Sequence, residues 1–331
     1  MKQKFTYLFF FLPAALLLSL AGCHKAPVAE AGGTAEIGIR PSSAGMSKAT
    51  FYSTDNITTV DLKIFAYLHD TETAFIDGDK YHYIPEFSDW RFYQGASIVH
   101  HYWPIPGSYW NSTEMDGHLD FVGYLPYDLS NTGVTLDSYT AGNPAFHADL
   151  SEVSYATQEE FLYAYVDDQT AAGGEVEMEF HHPFAKISLQ LKTSHRAVYN
   201  LNTIKFKNIK NNGTFTHANN PQWVASGGNT DLTITVDDGI SADADFTSTQ
   251  VTSMSLPLIV LPQSLTTADQ IEVKLTWNNG DSETTYTFDN PVGEWQSGKS
   301  YTYTLDLLGE IKFSVIIDNW SSEETPRNIR F

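Results

Sequence analysis

The chain has 331 residues, with 19 Lys+Arg against 40 Asp+Glu, a formal net charge of −21 at pH 7, and one cysteine. So large an acidic excess repels phosphate backbones and anionic lipid surfaces, which excludes nucleic acid as an expected partner. A single cysteine excludes a disulfide framework and a thiolate metal cage.

The chain opens on a targeting segment. Lys2 and Lys4 give a basic start, and Phe9-Phe10-Phe11-Leu12-Pro13-Ala14-Ala15-Leu16-Leu17-Leu18 is a continuous apolar run. That run is shorter than the roughly 20 residues a membrane-spanning helix needs. It ends on Leu20-Ala21-Gly22-Cys23, which resembles the bacterial lipoprotein box. Residues 1–22 therefore read as a signal peptide and Cys23 as the lipidated first residue of the mature chain. Loss of Lys2 and Lys4 takes the net charge from −21 to −23. Attachment to a membrane then goes through the acyl chains, several of which are needed for stable anchoring. His24 follows the cysteine where a retention aspartate would stand, which favours the outer membrane and the cell surface.

Residues 23–47 are rich in Pro, Gly, Ala and Ser and read as a tether. One alternating patch interrupts it, Ala35-Glu36-Ile37-Gly38-Ile39-Arg40, a candidate strand with Ile37 and Ile39 on one face. Past the tether, strand patterns recur to the C-terminus. The clearest are Lys186-Ile187-Ser188-Leu189-Gln190-Leu191-Lys192, Ile271-Glu272-Val273-Lys274-Leu275-Thr276-Trp277, Tyr301-Thr302-Tyr303-Thr304-Leu305-Asp306-Leu307 and Ile311-Lys312-Phe313-Ser314-Val315. Period-two alternation implies antiparallel strands that bury one face. Turns are expected at Asn212-Gly213, Asp238-Gly239 and Asn279-Gly280-Asp281. No helical periodicity is sustained beyond the signal, so the expected class is all-β. The small polar stretch at 167–174 is the best linker, which divides the body into two β-sandwich domains, 48–173 and 174–331.

Catalytic and metal-binding patterns are few. His100-His101 and His181-His182 are adjacent on strands and so point to opposite faces, which does not suit chelation. Asp77-Gly78-Asp79, Asp237-Asp238 and Asp243-Ala244-Asp245 lack the spacing and closing Glu of a calcium loop and read as solvated turns. No serine-hydrolase elbow, phosphate loop or zinc-protease motif is present in the sequence. Neither a metal, a cofactor nor an enzymatic activity is expected. Trp103, Tyr109 and Trp110, close together around two prolines, are candidates for stacking on a glycan, against a plain covering role at the end of the first sandwich.

Several phrases form an ordered series: His101-Tyr102-Trp103-Pro104, Leu119-Asp120-Phe121-Val122-Gly123-Tyr124-Leu125-Pro126, Glu160-Phe161-Leu162-Tyr163-Ala164, Phe180-His181-His182-Pro183-Phe184-Ala185, Leu261-Pro262-Gln263 and Trp295-Gln296-Ser297-Gly298-Lys299-Ser300-Tyr301. Behind a lipoprotein box, the series resembles the fimbrillin (Mfa-like) family of pilus and surface lipoproteins over residues 50–320. The resemblance implies two transthyretin-like sandwiches and export to the outer membrane. It also implies proteolytic loss of an N-terminal strand whose groove a neighbouring pilus subunit fills by strand addition. Carried over here, residues 35–40 are the removable strand. The family cut follows an arginine, but Arg40 precedes Pro41, a bond that trypsin-like proteases cleave poorly. The next basic residue is Lys48. This departure counts against a polymerising shaft and leaves an anchor, a tip subunit or a non-polymerising relative open, and glycans or proteins of host or bacterium are the implied adhesive partners.

Overall fold

The fold is seen in a computed structural model that describes residues 35–43, 57–104, 117–140, 143–151, 153, 158–193, 199–217, 222–241, 250–253, 258–277, 283–306 and 311–320. Cys23, Lys48, Tyr109 and Trp110 lie outside them. In chain order the strands are β1 (Ile39–Ser43), β2 (Leu62–Leu68), β3 (Ala74–Ile84), β4 (Asp89–Gln94), β5 (Ser97–Val99), β6 (His118–Leu125) and β7 (Val134–Thr140). Next come β8 (Asn143–Asp149), β9 (Leu162–Thr170), β10 (Val176–Phe180), β11 (Ala185–Thr193), β12 (Tyr199–Thr216), β13 (Gln222–Ser241) and β14 (Gln250–Ser253). The last are β15 (Leu258–Val260), β16 (Gln263–Ser264), β17 (Ile271–Trp277), β18 (Glu283–Phe288), β19 (Glu294–Trp295), β20 (Lys299–Asp306) and β21 (Lys312–Asn319). The only helical elements among the described residues are two short 3-10 turns, and the all-β expectation holds.

Three large sheets carry the fold. The first runs β5-β4-β3-β2-β6-β9 and is antiparallel throughout. The second runs β18-β17-β12-β8-β7, with β13 also paired along β12. The third runs β14-β11-β20-β21, with β11 and β20 parallel and β15 also on β11. A small parallel pair, β1 with β10, completes the first region.

Three cores lie between these layers. The alternating strands of the sequence line the last of them: Ile187, Leu189 and Leu191 of β11 and Tyr301, Tyr303 and Leu305 of β20 meet Ile271, Val273 and Leu275 of β17. Trp295 is buried there, its indole N–H donating to the Tyr303 hydroxyl at 2.9 Å. The first core lies under β1 and β10, and a middle core joins the first sheet to the second. Strand β2 serves both, sending Leu62, Ile64 and Ala66 to one and Phe65 and Tyr67 to the other. β2 and β6 are therefore buried on both faces and show no alternation in their sequence.

Two expected turns are corrected. Asn212-Gly213 lies within β12 and Asp238-Gly239 within β13. Gly213 is there for close approach, since a Cβ would come 3.2 Å from the Val224 carbonyl oxygen on β13. Asn279-Gly280-Asp281 falls outside the described residues, between the paired strands β17 and β18. The stretch at 167–174 is partly strand: β9 runs through Thr170, a 3-10 turn covers Ala171–Gly173, and Gly174 turns the chain at φ 82°. Beyond it, β10 packs Val176, Met178 and Phe180 into the first core, while β8 from before it pairs with β12 from after it.

Candidate functional site

Residues 35–43 lie in a slot with a different partner on each side. The first half pairs antiparallel with residues 101–103. There the Ile37 N–H donates to the His101 carbonyl at 2.7 Å and the Trp103 N–H to the Ala35 carbonyl at 2.9 Å. The second half, β1, pairs parallel with β10, Ile39 opposite Val176 through Ser43 opposite Phe180. Gly38 joins the two halves, its carbonyl accepting from the Val176 N–H at 2.8 Å. The Tyr81 hydroxyl covers Ile39 where no strand does, donating to its carbonyl and accepting from its N–H, both at 3.0 Å. Burial pushes the Tyr81 phenol pKa well up, so the hydroxyl keeps the proton it donates.

The alternating pattern determines what enters the core. Ile37 and Ile39 are 2% and 3% exposed and join Met178, Phe180, Trp103 and Phe121. Burying two such side chains contributes roughly 3–6 kcal/mol. Against that stands about 1–2 kcal/mol of backbone entropy for each ordered residue. Over the nine residues that cost exceeds what the two isoleucines alone return, so the backbone pairing is needed to hold the segment. Gly123 of β6 forms part of the slot floor. A Cβ there would meet Met178 Cε at 2.9 Å and Ile64 Cδ1 and Phe180 Cζ at 3.0 Å, so the ends of those side chains would have to shift.

Charges sit on the solvent side. Arg40 forks onto Glu175, at 2.6 Å, and onto Glu177, both on the chain beside it. The hydrogen bond to Glu175, then the charge of Glu177, push its guanidinium pKa further up. Glu36 meets His100 Nδ1 at 2.7 Å. All these side chains are about half exposed, so each pair contributes only about 0–1 kcal/mol and serves mainly to set register.

The structure brings Ile37, Ile39 and Trp103 together around this slot. Trp103 is a correction to the glycan surface: it is 4% exposed and packs edge-on against Phe121, 5.8 Å between ring centres. No sugar can stack on it there. Trp103 instead helps to close the first core. Sequence reasoning missed Tyr81, Gly123 and the pair Glu175 and Glu177, because their link to residues 35–40 exists only in three dimensions. Among the described residues, no three His, Cys, Asp or Glu side chains are arranged to hold a metal ion. No helix among them is long and apolar enough to cross a membrane.

The profile of the fimbrillin-like family matches residues 62–320, from the first residue of β2 to the end of β21 and Trp320. The chain belongs to the fimbrillin-like family. β1 lies ahead of the matched region. Two solved structures share the fold of this fimbrillin-like chain. A candidate cell-adhesion protein of Bacteroides ovatus superposes with a TM-score of 0.55 at 19% identity, over 89% of this chain and 100% of its own. One from Bacteroides uniformis superposes with a TM-score of 0.54 at 16% identity, over 86% of this chain and 99% of its own. No curated protein matches the sequence.

Proposed function

We propose that this fimbrillin-like chain is a fimbrial subunit of the cell surface. In this reading it is lipidated at Cys23 and carried to the outer membrane, and residues 35–43 fill the slot until a strand from a neighbouring subunit replaces them. The observation that carries the reading is the double pairing of this segment. Its removal would leave β10 and residues 101–103 with unpaired backbone on either side of an open apolar slot, a combination that strand addition can satisfy. The body is read as two sandwiches, one around the first core and one around the last, joined through the middle core. The role is structural and needs no catalytic group.

Of the two processing candidates, Lys48 fits this role better. Arg40 lies inside β1, its guanidinium held by two carboxylates and its next bond blocked by Pro41. A cut after Lys48 would free the whole strand. The test compares chains starting at Ala26 and at Ala49 by native gel electrophoresis and light scattering. The longer should be monomeric. The shorter should form oligomers or capture a peptide copied from a subunit's donor strand. Two monomers at high concentration, indifferent to every such peptide, would remove strand exchange from this protein.

A further inference from the structure

The slot holds residues 35–43 through backbone bonds, which almost any sequence can supply. Its choice of strand therefore has to come from side chains. Successive residues of a strand point to opposite faces. Ile37 and Ile39 take the dry face, 2% and 3% exposed, and the alternation puts Glu36, Gly38, Arg40 and Ser42 on the wet one.

The wet face meets a fixed pattern of charge. At its start Glu36 bonds His100 Nδ1 at 2.7 Å. Farther along, Glu175, Glu177 and Glu179 recur at every second residue, the last two exposed on β10 between the buried Val176, Met178 and Phe180. In register, Glu177 stands opposite Arg40 and Glu179 opposite Ser42. Arg40 serves the first two carboxylates, reaching Glu175 at 2.6 Å and Glu177 beside it. Ser42 brings no charge to the third. The resident segment thus matches this side of the slot only in part.

Gly38 adds a condition on size. A Cβ there would come 3.1 Å from Glu175 Cγ, so a bulkier residue has to push aside a carboxylate that the arginine uses. A strand with a base at the places of both Arg40 and Ser42 engages three carboxylates where the resident engages two, which favours replacement over return. So acidic a body also draws a basic strand towards it from a distance.

We propose that the slot selects a donor strand with this order: an acidic residue, then apolar, small and apolar ones, then a base, and a second base two places on. The proposal rests on the strand-exchange reading and describes the partner in it by its chemistry.

Peptide exchange tests it. The mature protein, folded whole and nicked after Lys48, is mixed with a fluorescein-labelled peptide of residues 35–43, or with its Ser42→Lys, Arg40→Glu or Gly38→Val form, and followed by anisotropy. Ser42→Lys should bind about threefold more tightly than the parent peptide, and Arg40→Glu about tenfold more weakly. Gly38→Val should also bind more weakly. Salt at about 1 M, where screening acts over about 3 Å, should erase the differences due to charge but not the one due to Gly38. Glu177→Gln with Glu179→Gln in the protein changes two exposed side chains, so the melting temperature should hold while the advantage of Ser42→Lys disappears. If no peptide enters, the strand-exchange reading fails and this proposal with it. If the peptides enter and bind alike, strand exchange stands and the selection proposed here is overturned.

Discussion

At the scale of single residues, Ile37 holds the N-terminal segment in place. It is 2% exposed, between the carbonyl of His101 and the first core. Ile37→Asp would put an unpaired carboxylate into that core at a cost of about 3–5 kcal/mol. The segment should leave while the sheets behind it stay folded. Limited trypsin digestion should then cut after Lys48 at least tenfold faster than in the parent, with the later core resistant. An unchanged digestion rate would mean that the segment is held elsewhere. Ile37 and Ile39 were legible in the sequence because two isoleucines alternate inside a Pro- and Gly-rich tether. Tyr81 was not, since a tyrosine in a polar strand gives no sign that its hydroxyl will bond a backbone 42 positions earlier.

Among elements, the strands that sequence showed best are those with one wet face. β11, β17 and β20 alternate cleanly and build the last core. Leu189→Asp in β11 should destabilise that core by about 4 kcal/mol or more, seen as lost expression or a melting transition many degrees lower. A soluble variant with an unshifted melt would place Leu189 on the outer face, one register away. The central strands were harder to read. β2 and β6 are covered on both sides, so apolar residues fill both parities and the period vanishes. Turn chemistry misled at Asn212-Gly213, because glycine in long paired strands answers close backbone approach as well as reversal, and Asp238-Gly239 likewise lies within a strand. The pairing of β8 with β12 joins residues more than sixty apart in sequence, which no local pattern encodes.

For the whole molecule, charge and anchoring act together. With −23 on the mature chain the folded body has little attraction to an anionic bilayer, so on the proposed reading attachment depends on Cys23 alone. Cys23→Ser should move the protein from the membrane to the soluble fraction and abolish labelling by a fatty-acid analogue. Labelling of both proteins alike would end the lipoprotein reading.

The pairing of residues 35–43 has a directional consequence. Any chain that takes their place and reuses their bonds must run parallel to β10 and antiparallel to residues 101–103. Entry in the opposite sense would reverse both relations at once and lose the register that places an apolar residue at the positions of Ile37 and Ile39. Each junction made in this way joins two unlike surfaces, a slot on one molecule and a strand on the next, so copies linked through it face one way. An assembly of such junctions has two chemically distinct ends, one offering an open slot and the other an unused strand, and it can be capped at either by a chain that lacks the corresponding half.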